Sequence, residues 1–378
     1  ALRIAGSAMA RYSSASNENT IHADINLGWN NLASYTSFSY SSLDDLKAGG
    51  NRPSGYDNYG ERDFFVEQNE KGMDVVVAND DPNEQINSGF DSQSLIQKLL
   101  YRFDDQVELG YGFYYSTTSD IPRYDRLIET DENGLPIDAE WYYGPQKRQM
   151  HNLRLKVVKA TGFFNQMKVT AAYQDYEESR VDRGFNDPRL RTRTEKVDVY
   201  SFNIDLDKEL PQGNLFYGAE ILHNDVISEA IRVDQMTGEV SFPSTRYPDG
   251  GSDYTSYSTY FNYKWNIDQH FTLNTGVRYS LVQLTSRISD QSALSFPFEE
   301  LAVDNGAFNG SLGLVYSPAR NLKLNIALAS GFRSPNIDDI GKVFDFSDGE
   351  VQVPNPDLEP EYSYNLEAGL ETKVNNIW

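Results

Sequence analysis

With 378 residues and no cysteine, the chain is long enough for two average soluble domains or one large barrel, and it has no disulfide frame. Its net charge of -23 argues against nucleic acid as a partner, since phosphate backbones select basic surfaces. Aromatic residues make up 13% of a hydrophilic chain, a combination foreign to disorder, and no run approaches the roughly 20 apolar residues of a spanning helix.

Period-two alternation begins at once. Ala1-Leu2-Arg3-Ile4-Ala5 enters a strand pattern with no signal peptide before it, which reads as a fragment of an exported protein. Ile21, Ala23, Ile25, Leu27 and Trp29 oppose His22, Asp24, Asn26 and Gly28. Further along, Tyr257, Phe261, Tyr263, Trp265 and Ile267 share one face, and Phe271, Leu273, Val277, Tyr279 and Leu281 share another. Leu322, Leu324, Ile326 and Leu328 alternate with Lys323, Asn325, Ala327 and Ala329. About fourteen strands are predicted by this pattern. They lie near 2–12, 20–29, 32–42, 90–103, 106–118, 149–160, 166–179, 196–209, 215–233, 254–267, 271–288, 308–318, 322–333 and 363–374.

Short turns are predicted at 30–31, 104–105, 161–165, 211–214, 268–270, 320–321 and 375–376. Between them fall the longer links 43–89, 119–148, 180–195, 234–253, 289–307 and 334–362, with Ser13 to Asn19 where another is due. Short and long alternate, the asymmetry of an outer-membrane barrel with cramped periplasmic turns and long outer loops. The predicted fold is therefore an all-β, antiparallel transmembrane barrel, read as one domain over 1–378. One strand face meets lipid, while Lys264, Arg278, Glu220, Glu367 and Asp205 fall on the polar set facing the lumen. Trp29, Trp265, Tyr316 and Phe332, near strand ends, are candidates for interface girdles.

Two motifs follow late in the chain. Ser330-Gly331-Phe332-Arg333-Ser334-Pro335-Asn336 is succeeded by Asn355-Pro356-Asp357-Leu358-Glu359-Pro360-Glu361 and a strand. Their order and spacing resemble the paired FRAP and NPNL/NPDL boxes of TonB-dependent outer-membrane receptors, and Arg11 to Asn19 resembles a first-hairpin segment of some members. The resemblance implies a barrel of about 22 strands, closed by an N-terminal plug and energised by TonB and its inner-membrane partner proteins. About fourteen strands then make this an incomplete barrel, without plug or TonB box. Taken by themselves, Phe332, Arg333, Pro335, Asn355, Pro356, Asp357, Leu358 and Glu361 read as a loop anchor, because proline cannot donate to a ladder and Asn or Asp closes turns.

Candidate ligand contacts lie in the long links. Arg180, Arg183, Arg189, Arg191 and Arg193 form a basic cluster whose forks suit an anionic chelate or lipopolysaccharide, with Asp182, Asp187 and Glu195 nearby to balance them. Tyr124, Trp141, Tyr142 and Tyr143 offer rigid contact area, as do Tyr56, Tyr59, Phe64 and Phe65, or simply pack the loops together. Haem-type members of the resembled family carry a histidine between the two boxes. None occurs between Phe332 and Leu358, and His22, His151, His223 and His270 lie elsewhere. Asp80, Asp81 and Glu84, or Asp345, Asp348 and Glu350, lack calcium-loop spacing. No catalytic motif, resident metal or cofactor is expected.

The resemblance leads to TonB-dependent import of a scarce nutrient across the bacterial outer membrane, ferric siderophore first. Expected partners are the surrounding lipid, TonB reached through the missing plug, and a small metal chelate. The competing readings are a passive porin or adhesion barrel without energy coupling, and an outer-membrane hydrolase.

Overall fold

The alternation is realised as fourteen long strands in a computed structural model that describes residues 2–289, 299–341, 344–345, 351–352, 355 and 357–373. They are β1 (Arg3–Ser13), β2 (Glu18–Gly28), β3 (Leu32–Leu43), β4 (Phe90–Arg102), β5 (Val107–Thr118), β6 (Lys147–Val158) and β7 (Gln166–Gly184). After them come β8 (Arg189–Leu210), β9 (Gly213–Asp234), β10 (Ser252–Asn266), β11 (Phe271–Arg287), β12 (Glu300–Ala319), β13 (Leu322–Arg333) and β14 (Glu361–Thr372). Each pairs antiparallel with the next in sequence, and three short strands extend the same sheet. Among the described residues, β1 pairs only with β2 and β14 only with β13.

In-register pairing sorts the side chains into two faces. Leu153, Ala171, Phe202, Ile221, Tyr257 and Leu281 stand opposite one another across six strands and form part of a continuous apolar face. Several remain exposed, as lipid contact requires: Phe202, Ile221, Val277, Ile326 and Leu366. The other face is polar and cross-linked. Lys168 pairs with Asp205 at 3.0 Å, Arg278 with Glu220 at 2.8 Å, and the Tyr260 hydroxyl donates to Asp205 at 2.7 Å. Ladder hydrogen bonds saturate the backbone between strands, the condition for crossing a bilayer.

Aromatic residues mark both ends of the apolar band. At the short-turn end Trp265 donates to Gln212 and Phe271 stacks on Tyr316 at 4.5 Å. At the other end His151, Tyr173, Tyr200 and His223 stand side by side on four strands, and Phe332 contacts Tyr362. One row farther out on the same face, Asp175, Asp198, Asp225 and Asp253 oppose one another directly.

The turns at the first end are tight. Gly213 closes one: a Cβ there would meet the Lys264 carbonyl oxygen at 1.9 Å, so only glycine fits. Proline at 318 interrupts the β12–β13 register between Tyr316 and Ala319, since it has no N–H to give. The turn expected at 375–376 lies outside the described residues.

At the other end the strands run on past the membrane. β9 has 22 residues, about twice the 9–11 that a tilted strand needs to cross hydrocarbon. Segment 180–195, expected to be a loop, is instead the upper half of the β7–β8 hairpin, and only 185–188 turn, with Asn186 in the left-handed region at φ 59. The remaining long links are built from small elements. In 44–89, Leu46–Lys47 pairs with Glu84–Gln85, and Phe64–Gln68 forms a hairpin with Asp74–Ala78. Arg62, 1% exposed, holds this loop together by donating to the Phe64 and Ile86 carbonyls. Burial pushes its guanidinium down to about 10.

After β13 the chain turns through Ser334 into one helical turn, Ile337–Ile340, closed by reciprocal capping between Asn336 and Asp339. Ile340, with no exposed surface, seats among Leu284, Leu301 and Val303 of β11 and β12, against Tyr254 and Ile337.

Candidate functional site

The outer rim is assembled from segments far apart in sequence. Strand Asp138–Tyr143 adds to the projecting part of β7, opposite Gly184 to Arg180, in the lane that β6 occupies below. Gly144 permits the changeover, because a Cβ there would lie 2.1 Å from the Ser179 hydroxyl. Alternation puts Trp141 and Tyr143 on the inner face with Arg180 and Asp182, and Tyr142 on the outer face opposite Val181. Tyr124 sits on the separate helical turn Tyr124–Leu127.

Stacking and ion pairs knit the inner face together. The Arg123 guanidinium lies 5.1 Å from the Trp141 ring and 5.3 Å from Tyr143, whose hydroxyl it donates to at 2.6 Å. Arg180 lies 5.4 Å from the Tyr143 ring and bridges Glu178 at 2.7 Å and Glu195 at 2.8 Å. Glu195 is 3% exposed, and burial pushes its carboxyl up despite the opposing pull of Arg180 and Arg246. From there the cluster reaches the β9–β10 link. The Tyr247 N–H donates to Ser228, while the Tyr247 hydroxyl and Arg246 both donate to Asp338 at 3.0 Å on the helical turn after β13. The cavity beside this helical turn has a volume of about 680 Å³ and is lined by Tyr247, Tyr254, Arg278, Asp338 and neighbours.

The arginine cluster predicted from sequence is thus divided. Arg180, Arg191 and Arg193 face inward, the last two on Asp182 at 2.8 and 3.1 Å. Arg189 pairs with Asp187 at the exposed tip. Arg183, 3% exposed, is sealed on the opposite face, where it forks onto Asp74 at 2.8 Å and reaches Glu140 at 2.6 Å. Every one of the five has a carboxylate of this chain. Among the described residues, the buried Nε atoms of Arg193 and Arg246 are left without a hydrogen-bond partner.

The paired boxes meet. Arg333 bridges Asp339 at 2.6 Å and Glu361 at 3.0 Å, tying the end of β13 to the start of β14. Asn355 donates from its backbone to Ile340, and its side chain accepts from the Asp357 N–H. Pro335 precedes the cap, Leu358 is exposed, and Pro356 lies outside the described residues. Of the acidic groups, Asp81 and Glu84 pair with Lys47; the side chains of Asp345, Asp348 and Glu350 lie outside the description. His22, His151 and His223 are each hydrogen-bonded to a neighbouring strand, by Ser39, Tyr111 and Thr255, while His270 sits in a turn.

Sequence reasoning missed Arg123, Arg246, Tyr247, Asp338 and Asp74. Only the helical turn carried a local signal, the Asn336 and Asp339 capping spacing.

One carboxyl of the rim is held above the ordinary carboxylate range by its surroundings. Asp138 is pushed up to about 6, by burial first and then by Asp182 and Glu129. The fold therefore favours its neutral form. The contribution of Asp138 to docking strand 138–143 is complete below the ordinary carboxylate range, falls between about pH 4 and 6, and is flat above. Hydrogen exchange of 138–143, corrected for intrinsic rates, should quicken across that window in the native protein and stay level in Asp138→Asn. Equal profiles would remove Asp138 as the cause.

Comparison with known proteins follows from this geometry. Residues 10–378 match the family model described as TonB dependent receptor-like, beta-barrel. No curated protein matches the chain. Among solved structures, the copper transporter OprC superposes with a TM-score of 0.70 at 12% identity, over 99% of this chain and 50% of that one. The Serratia marcescens hemophore receptor HasR, in complex with its hemophore HasA and heme, gives 0.69 at 14% identity, over 100% and 51%. The FrpB iron transporter from Neisseria meningitidis gives 0.65 at 15%, over 99% and 52%. At such identities the likeness is one of fold, and the chain spans about half the length of these proteins.

Proposed function

The chain belongs to the TonB dependent receptor-like β-barrel family and lies in the bacterial outer membrane, and from that premise we propose that it walls the path of a TonB-coupled importer of a scarce nutrient. The observation that carries this reading is a meander of membrane-length strands whose long connections, among the described residues, lie at one rim. There Asp74 with Arg183, and Arg246 and Tyr247 with Asp338, bind one connection to another. A rim built so suits selective capture more than passive flow.

Ferric siderophore is the favoured cargo. Iron, copper and heme are what the similar solved structures are described with, and no histidine stands between Phe332 and Leu358, which places haem behind. Capture rests on Trp141, Tyr143 and Tyr247 for planar groups, with the inner arginines for oxygen anions. TonB and its inner-membrane partners enter through the plug of the whole protein.

The test is uptake by cells carrying the full-length protein. Iron from a ferric hydroxamate or catecholate should accumulate with TonB present and stop when TonB is deleted. Uptake indifferent to TonB would instead establish the passive-channel reading.

A further inference from the structure

The lumen face is electrically uneven. On β7 to β11 Lys168 is matched by Asp205 and Arg278 by Glu220, while Lys264 on β10 has no carboxylate partner among the described residues. On β1 and β4 to β6 Arg11 is matched by Glu18 and Arg102 by Glu108, but four other cations are not. Arg3, Lys98, Arg148 and Arg154 share the polar face, and none of them meets a carboxylate among the described residues. In a chain of net charge -23, four such cations in one quadrant are conspicuous.

Lys98 is also held in place. In register it stands between Tyr35 on β3 and Gly112 on β5. Gly112 leaves room for the Tyr114 ring to lie back across the strand, since a Cβ there would come within 2.9 Å of that ring. The Lys98 ammonium is thereby flanked by two rings, at 5.8 Å from Tyr35 and 5.5 Å from Tyr114. Ring faces steady a cation without neutralising it. Arg3, Lys98 and Arg154 line one cavity of about 440 Å³ with Asn26 and Asn152.

A second cavity of about 360 Å³ lies outward of the first on the same strands. Its wall is Ser39, Ser41, Ser92, Ser94 and Ser116, with Arg148 beside them. Arg148 spends one donor on Gln174 at 2.8 Å. Small hydroxyls keep the wall recessed and supply donors, while the cations supply charge at successive depths.

We infer that this quadrant is an anion track: a lumen-wall site for a compact solute bearing carboxylate or phosphate oxygens, with Lys98 and Arg154 as its deep station and Arg148 as its outer one. It rests on the import reading, to which it adds a substrate chemistry and a side of the barrel. Four solvated cations with no common occupant are the outcome against which the test is set.

The experiment uses the full-length protein in membranes. These 378 residues hold no cysteine, so Ser94→Cys, with any cysteine elsewhere in the full-length protein replaced by serine, places one reporter thiol on the wall of the outer cavity. Its reaction with a small neutral thiol reagent is timed with inorganic phosphate, citrate or a neutral sugar, at constant ionic strength. Phosphate or citrate at ten times its dissociation constant should slow the reaction roughly tenfold, as site occupancy dictates. The sugar should do nothing. Adding Lys98→Gln and Arg154→Gln should abolish the protection, Lys98→Arg should keep it, and Lys264→Gln on β10, four strands from β6, should leave it unchanged. Protection that survives the double change overturns the inference. So does the absence of protection, or a thiol that never reacts because the wall is covered. The assay needs no transport. Failed protection with intact TonB-dependent uptake removes the track alone, and intact protection without such uptake removes the import reading alone.

Discussion

Asp74→Ala is expected to detach the Phe64–Ala78 hairpin from the tip of β7 and β8. Asp74 accepts both prongs of Arg183 and the Asn186 N–H, and its partner in the pair is 109 residues away. Both side chains are sealed, at 1% and 3% exposure. Removing one member leaves a buried guanidinium with Glu140 alone, a situation that typically costs about 3–5 kcal/mol. Burial alone would raise the Asp74 carboxyl, but the Arg183 and Asn186 hydrogen bonds win and hold it below its ordinary value. Docking is therefore intact above the ordinary carboxylate range and lost only as acid passes below it. Proteolysis at Lys71 and hydrogen exchange of 64–78 should rise sharply in Asp74→Ala at neutral pH, while exchange in β8 to β11 stays native. The double change Asp74→Leu with Arg183→Met should recover much of the protection, because an apolar pair leaves no buried charge. Unchanged exchange in the single variant would mean that the pair does not hold the hairpin.

The second large effect is expected at Ile340. Its side chain has no exposed surface and fills the space between Leu284, Leu301 and Val303. Ile340→Ala should cost about 2–5 kcal/mol locally and Ile340→Val about 0.5–1.5. The loss should appear as faster exchange at 334–341 and at the upper ends of β11 and β12. With the turn unseated, Asp338 withdraws from Arg246 and Tyr247, so the two halves of the rim uncouple. If Ile340→Ala leaves that segment protected, the Arg333 and Asn336 contacts hold it instead.

All fourteen strands were legible, because lipid enforces alternation on every one of them. Where the enforcement ends, so did the legibility. Residues 180–182 and 191–195 continue the β7–β8 ladder, but above the bilayer both faces meet water or protein, and Glu, Ser, Arg, Val and Asp follow without a period. The same reason hid the lower-numbered part of β12, read as starting near 308 although it begins at Glu300. Trp141 to Tyr143 belong to a strand that their β-forming residue types could have indicated. The local acids Asp182, Asp187 and Glu195 were visible in the sequence and do neutralise their arginines. Asp74 was not, since nothing local ties position 74 to position 183. The lumen asymmetry needed register: which cations stay unmatched depends on which residues stand opposite them.

The two adjoining rows at the outer edge of the apolar band act together as a waterline. Sinking the wall by one row would drag Asp175, Asp198, Asp225 and Asp253 toward hydrocarbon, where an ionised carboxylate costs roughly 2.5–3.5 kcal/mol at full depth. Lifting it would strip His151, Tyr173, Tyr200 and His223 from the headgroup layer that amphipathic rings prefer. Opposed penalties on neighbouring rows pin the elevation of this arc to within a residue pair, so the wall holds its depth against a force along the barrel axis.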